Sequence, residues 1–446
     1  MIYLDNNATT RPSPGVVAAM HDALENCWHN PSSIHRAGQL ARQKVELARK
    51  ETADLIGAKP RQIVFTASGT ESIDLVIRGL VDFKRRTADK PVVITTPIEH
   101  GAVRELVHDL AKRGVIEERI LPVKHAGLVD ADALPAMLED AERVACVSVM
   151  WANNETGVVQ PIDAIGTICR QRNVTFHCDG TQWVGKMPTR IDPGERTIAL
   201  SERDAQASAN APTNHNGSPK PNATNPATTA PDPYSTPATP TPIDVLTFAP
   251  HKFYGPKGVG MVWLRRGVRL PPQIHGSQEL GRRGGTENVP GIVGAGVACR
   301  EAREWLADPD NLRRQRDLRD HFEQTILEAV PGAVVNGPAC VRNQPCPRMW
   351  NTSSIGFPRL EAEALLMLLS EMGLCASAGS ACSSGSLEPS PVLLAMGCAR
   401  ETAHGSIRFS ISRETTRPEI DEAVRIILAA VNRLKQSVAS LQGVRA

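Results

Sequence analysis

DVLTFAPHKFYGPKG, spanning Asp244 to Gly258, carries an apolar run that ends in His251 and Lys252 and then opens into a loop marked by Gly255, Pro256 and Gly258. Apolar-rich residues followed by a turn predict a buried strand that delivers one amine to its end. A lysine so placed loses water, titrates low and can attack a carbonyl to form a Schiff base. Two other runs have the same form. In FHCDGTQ an apolar stretch leads to His177, Asp179 and Gln182, and in FTASGTES another leads to Ser68, Gly69 and Thr70.

Outward from these runs, amphipathic helices alternate with short apolar strands from Ala41 to Val262. The strands are expected at Ile63–Thr66, Val92–Thr95, Ala145–Met150, Val174–Cys178, Val245–Phe248 and Gly260–Leu264. Such alternation implies an α/β fold with a mostly parallel sheet and helices on both faces. Ligands then bind beyond the carboxyl ends of the strands, where the polar residues singled out here fall. After Leu264 come a Gly-rich stretch and helices at about 295–306 and 311–330. A smaller α+β region follows, with strands at 352–356 and 406–410 and helices at 360–372 and 417–441. The expected organisation is an N-terminal segment, 1–14, that joins the small domain; a large domain, 15–264; and a small C-terminal domain, 265–446. Between about Asp204 and Pro242 the chain turns to Ala, Pro, Thr, Asn and Ser, without any Val, Ile, Leu, Phe or Met. A segment of this kind buries too little apolar surface to offset its ordering entropy, so a disordered surface insertion is expected at about 194–242.

Bulk properties narrow the function. The 446 residues are 41% hydrophobic and carry a net charge of +2 with both signs interspersed, which gives no field suited to nucleic acid. The longest apolar run, near Ala364–Leu369, is far short of the roughly 20 residues a bilayer crossing needs. Met1–Thr10 is polar and reads as the start of a domain, so a cytoplasmic location is expected. The ten cysteines lack CxxC pairing and are expected to be reduced and mostly buried. Cys340 and Cys346, without a second pair, do not make a zinc site.

Read for chemistry, the motifs supply what pyridoxal phosphate needs: an amine for its aldehyde, an anion for its ring nitrogen and a phosphate cradle. Ser68, Gly69 and Thr70 precede a helix whose free amides suit a phosphate, although Ser68 with Glu71 is also a capping box. Asp179 would keep a pyridinium protonated, or cap a helix. His100, at the end of TTPIEHGAV, could stack on a flat cofactor and move protons, or be structural. Asn154 offers an amide to a ring oxygen, but Asn-Asn before Gly157 is also good turn chemistry. Arg408 in SIRFSIS suits a planar carboxylate or an internal salt bridge. Thr286 in RRGGTENVPG sits where backbone could approach a phosphate, or in a plain loop. Cys382 lies among Ser377, Gly379, Ser380, Ser383, Ser384, Gly385 and Ser386, a polar setting that suits an exposed nucleophilic thiol; Cys375 reads as core.

In this order YLDNNATT, NPSSIH, FTASGTES, EHGAV, NNETGVVQP, HCDGTQWVGK, HKFYGPKG, RRGGTEN, SACSSGSLEPS and SIRFS resemble the cysteine desulfurases of the NifS/IscS type, over nearly the whole chain except the insertion. The resemblance implies the aspartate aminotransferase-like fold type I of pyridoxal-phosphate transferases, working as a homodimer. It implies that Lys252 holds the cofactor, Asp179 faces its ring nitrogen, Gln182 and Asn154 contact its ring oxygen, and His100 stacks as acid or base. Gly69, Thr70 and His251 would contact the phosphate, with Thr286 given by the other subunit, and Arg408 and Asn154 would meet the substrate. Cys382 would attack the sulfur of L-cysteine and carry a persulfide to an acceptor or iron–sulfur scaffold protein. Any metal role of Cys382 would be through iron or a cluster during transfer. Ala249 departs from the serine that many relatives have three residues before the lysine, removing a hydroxyl from the phosphate cup. A selenocysteine lyase, a kynureninase-like enzyme, a plain aminotransferase and a non-catalytic scaffold of the same fold are the alternatives.

Overall fold

The computed structural model describes residues 1–191, 194, 234, 239–340, 346–379 and 388–443. Cys382 and most of the expected insertion lie outside the described residues. In chain order the strands are β1 (Ile2–Tyr3), β2 (Ile63–Thr66), β3 (Val92–Thr95), β4 (Glu117–Ile120), β5 (Val144–Met150), β6 (Phe176–Asp179), β7 (Val245–Phe248), β8 (Gly260–Leu264), β9 (Val334–Val335), β10 (Thr352–Gly356), β11 (Leu374–Cys375) and β12 (Ser406–Ser410). Seven form one sheet in the order β2-β8-β7-β6-β5-β3-β4. All its neighbours run parallel except those of β8, which is antiparallel to both β2 and β7. β2, β3, β5, β6, β7 and β8 are buried along their whole length, which is why they read as continuous apolar runs and not as alternation.

Helices cover both faces. Ile73, Val76 and Leu80 of helix Gly69–Lys84, with Val103 and Val107 of helix Gly101–Lys112, pack on Val64, Val93, Val245 and Val262. On the other face helices Arg36–Ile56, Ile162–Gln171 and Val289–Leu306 enclose Ile63, Phe65, Val147, Phe176 and Trp263. At Gly260 a Cβ would fall 2.1 Å from the Ser68 carbonyl oxygen, so only glycine lets β8 pass under the turn that follows β2. His177 is buried inside the sheet, bonded to Ser148 Oγ at 2.9 Å and Thr247 Oγ1 at 3.0 Å. Burial pushes its pKa down to about 4, so this histidine is a neutral cross-link between strands.

The later chain forms a three-stranded antiparallel sheet, β12-β10-β9, with helices Pro309–Ala329, Ala362–Glu371 and Arg417–Gly443 nearby. β1 pairs in parallel with β11, far along the chain. Among the described residues no helix is long and apolar enough to cross a membrane.

Four expectations are corrected. The strand expected at Val174–Cys178 runs from Phe176 to Asp179, because Asp179 still pairs with Met150 and Thr247. β4 was not expected; its sequence EERI has no apolar run, and as an edge strand it is held by charge, Arg119 bonding Glu117 and Asp140. Cys340 and Cys346, expected as thiols, are joined in a disulfide, while seven other cysteines among the described residues are free. Cys375, read as core, is only partly buried. Where the chain leaves and rejoins around the insertion, Ile191 bridges Thr241, so the two ends lie side by side.

Candidate active site

A cavity of about 310 Å³ opens at the carboxyl ends of β2, β3, β5, β6 and β7. Gly69, Thr70, His100, Asn154, Asp179, Gln182, His251, Lys252 and Arg408 all line it. Residues spread over 340 positions of sequence thus meet because parallel strands deliver their ends to one edge. Thr286 is exposed and does not line the cavity of its own chain.

The cup for an anion lies where β2 meets helix Gly69–Lys84. Ser68 Oγ accepts from Glu71 N at 3.0 Å as an N-cap, but Glu71 Oε2 accepts from Ala67 N at 2.9 Å and not from Ser68 N, so only half of the capping box expected from the sequence forms. It leaves the first-turn amides of Gly69 and Thr70 facing the cavity without intrahelical acceptors. A Cβ on Gly69 would stand 3.4 Å from Ala249 Cβ and 3.8 Å from Thr181 Oγ1, so that side chain would fill space the cup keeps open. Ala249 therefore sits at the wall of the cup, where its missing hydroxyl matters.

Asp179 is 5% exposed at the end of β6. Its Oδ1 accepts from Thr181 N at 3.0 Å and Thr181 Oγ1 at 2.5 Å. Oδ2 has no protein donor among the described residues. His100 caps helix Gly101–Lys112: its Nδ1 accepts from Ala102 N at 3.1 Å, which assigns the proton of the neutral ring to Nε2. Burial lowers the pKa of the ring, with Lys252 adding to that and Asp179 opposing it. Lys252 Nζ donates to the Asn7 and Ala8 carbonyls at 2.8 and 2.7 Å. Beside it, burial and the neighbouring lysines hold His251 neutral, with a pKa of about 3.

Arg408 makes the internal salt bridge that was one of the two readings made of it. Its Nη2 meets Asp5 Oδ1 at 2.6 Å, and its Nη1 donates to the Asn154 and Gly379 carbonyls at 3.1 Å each. It also lines the cavity, and its buried Nε has no partner among the described residues.

Sequence reasoning missed four participants. Asn7 accepts from Lys186 Nζ at 3.0 Å and from Asn351 Nδ2 at 2.9 Å, and donates to Thr352 Oγ1 at 2.8 Å. Lys186 also donates to Gln182 Oε1 at 2.7 Å, and Gln182 Nε2 donates to Asn7 O at 3.1 Å. Burial, then the charges of Lys252 and Arg408, push the Lys186 pKa well below that of an ordinary lysine. Its signal was the spacing of four from Gln182, which here spans a run of turns. Glu99, 1% exposed, accepts from Thr96 Oγ1 at 2.8 Å and Met150 N at 2.9 Å on Oε1, while Oε2 has no partner among the described residues. Burial pushes its pKa up to about 8. Glu155 accepts from Ser390 Oγ at 2.5 Å, and burial raises its pKa too. Their adjacency to His100 and Asn154 was the only signal available.

The residues present fit pyridoxal phosphate. Helix-start amides and an open cup suit its phosphate, Asp179 presents an oxygen without a protein donor, and an amine and a neutral imidazole line the same cavity. Among the described residues no group of three or more His, Cys, Asp or Glu could hold a metal ion.

Comparison with known proteins agrees with this geometry. Residues 2–194 and 239–423 match the family model Aminotransferase class-V, which breaks off at the polar insertion. A cysteine desulfurase of Nostoc sp. is 39% identical over 98% of this chain and 94% of its own length. Cysteine desulfurase NifS of Azotobacter vinelandii is 37% identical, covering 97% and 93%. Among solved structures, a NifS-like protein superposes with a TM-score of 0.77 at 30% identity, over 97% of this chain and 100% of that one. SspA in complex with cysteine gives 0.69 at 29% identity, over 93% and 100%. With fold, cavity and sequence in agreement, the chain belongs to the aminotransferase class-V family, among its NifS-type cysteine desulfurases.

Proposed function

We propose that this protein is a pyridoxal-phosphate-dependent cysteine desulfurase, converting L-cysteine to L-alanine and passing the sulfur to Cys382 as a persulfide. The observation that carries this is the meeting of Lys252, Asp179, His100 and Arg408 around one cavity that begins at the Gly69 helix terminus. Bound there, the cofactor supplies an electron sink for charge released at the substrate α-carbon.

The chain's own groups do the rest. Lys252 would attach the cofactor, Asp179 would hold its ring nitrogen, and Gly69, Thr70 and His251 would take its phosphate. Asn154 and Gln182 are assigned to its ring oxygen, Gln182 being oriented by Lys186. Arg408, with Asn154 beside it, receives the substrate carboxylate, which competes with Asp5 for the guanidinium. His100, neutral through burial, or Lys252 accepts the α-proton. The Cys382 thiolate attacks the substrate sulfur; the carbon–sulfur bond breaks, its electron pair stays with the substrate β-carbon, which takes up a proton to become the methyl group of alanine, and the sulfur remains on Cys382 as a persulfide.

We further assign a homodimer, in which Thr286 completes the partner's phosphate cup. Its exposure supports this, as do Trp28, Ile34 and Leu280, large apolar residues 69%, 95% and 72% exposed. The division into 1–14, 15–264 and 265–446 draws support from the confinement of the seven-stranded sheet to Ile63–Leu264 and from β1 pairing with β11, with helix Val289–Leu306 the exception that packs back on the large sheet. Delivery to an iron–sulfur scaffold or another acceptor, with iron meeting Cys382 only during transfer, and a cytoplasmic location complete the reading. Mass spectrometry after incubation with L-cysteine should find one added sulfur atom on the Cys382 peptide, and none in Cys382→Ala, which should keep its cofactor. An unmodified Cys382 peptide alongside alanine formation would refute the proposal.

A further inference from the structure

Cys340 and Cys346 take no part in the chemistry above, yet they are placed to respond to the redox state around the protein. Their Cα atoms are 5.2 Å apart and their sulfurs are joined. Arg348 Nε donates to Cys340 Sγ at 3.1 Å. This guanidinium is 1% exposed, and Glu323 fixes it from behind, accepting from Nη1 at 2.8 Å and Nη2 at 2.6 Å. A fixed cation at hydrogen-bond distance favours a thiolate, so Cys340 is the reactive sulfur when the bridge is open. It is also the more accessible of the two, being partly buried where Cys346 is 3% exposed.

The residues after Cys346 connect this pair to the cavity wall. Pro347 O accepts from Val159 N at 2.7 Å, Arg348 bridges Val158, and Met349 N donates to Gly157 O at 2.7 Å. Gly157–Val159 continue directly from Asn154 and Glu155, which line the cavity.

We propose that Cys340 and Cys346 form a reversible thiol–disulfide site, exchanging with small-molecule thiols and disulfides of the glutathione class, whose closed state holds the 347–349 strap against the segment that carries Asn154 and Glu155. In the closing direction the Cys340 thiolate attacks the small disulfide and expels one thiolate, leaving a mixed disulfide. Cys346 then attacks the Cys340 sulfur and expels the second thiolate. The protein gives up two electrons and two protons, and the small disulfide becomes two thiols. Opening is the reverse, driven by two small thiols. The site stands whether or not the cavity performs the proposed desulfuration.

The test equilibrates full-length holoenzyme in buffers of glutathione and its disulfide, quenches with acid, alkylates free thiols and weighs the peptide that holds both cysteines. The expected result is two alkyl groups under reducing conditions, none under oxidising conditions, and full return when reductant is added. In Cys346→Ser, a glutathione adduct should accumulate on Cys340. A pair alkylated in every buffer, or closed in every buffer, overturns the exchange. Hydrogen exchange of the same samples reads the strap: the Val159 amide should exchange more slowly in the oxidised protein. Equal rates in the two states overturn the link to the cavity wall.

Discussion

Replacing Glu99 with Gln should make the cofactor-free protein more resistant to urea, by an amount that grows with pH. Glu99 is fully buried, and burial moves its carboxyl from an ordinary 4.5 to about 8. Between those values the folded chain holds a proton that the unfolded chain releases, so folding stability falls as pH rises. The favourable protonated form is fully in place below 4.5, and the loss is complete once pH passes about 8. The interval corresponds to roughly 5 kcal/mol, at about 1.4 kcal/mol per pH unit. Glutamine keeps the oxygen that accepts from Thr96 and Met150 and never ionises. Its amide, like the carboxyl hydroxyl it replaces, would lack an acceptor at the Oε2 position, a cost of about 1–3 kcal/mol that does not vary with pH. The slope is therefore the readout. Urea unfolding of both proteins at pH 5, 6, 7 and 8 should show the variant gaining on the parent by about 1 kcal/mol per unit. Parallel curves would mean that Glu99 is ionised in the folded protein, and the account of a neutral carboxyl beside Asp179 would fail.

Ala249→Ser should restore a hydroxyl to the phosphate cup and tighten pyridoxal phosphate by about 1 kcal/mol, roughly fivefold in dissociation constant; equal affinities by equilibrium dialysis would place the cup elsewhere. Arg408→Lys keeps the charge but loses the planar fork, so KM for L-cysteine should rise roughly thirtyfold, about 2 kcal/mol, with a smaller change in kcat. A drop in kcat at constant KM would show that Arg408 does not hold the substrate carboxylate. Thr286→Ala should weaken cofactor binding in the dimer, and mixing it with Lys252→Ala chains should yield one native phosphate cup per mixed dimer; identical affinity in parent and variant would remove Thr286 from the site.

Lys252 and Asp179 were legible because each ends a short apolar strand, and a parallel sheet brings such ends together whatever the loops between them do. Even β7 and β8 could be placed to the residue from their runs. Asn7 was not legible as a hub. Its partners, Thr352, Asn351 and Lys186, lie up to 345 positions away and follow no local period. The salt bridge of Arg408 could not be assigned a partner from the sequence, because Asp5 lies 403 positions distant. The disulfide escaped notice because a spacing of six carries no pairing signal in a chain with ten cysteines.

By itself the sequence determined most of the buried strands, the family, and the placing of Lys252 and Asp179 beyond the strands of one largely parallel sheet, since these depend on hydrophobic runs and on residue types next to them in the chain. Tertiary structure alone decided which polar groups are buried and against what. It made Glu99 a carboxyl that keeps its proton near neutral pH, it made Lys186 a brace for Gln182, and it set Cys340 beside Arg348. Burial and charge neighbours are properties of three-dimensional distance, and distances between remote segments are fixed only once the sheet and its helices have packed.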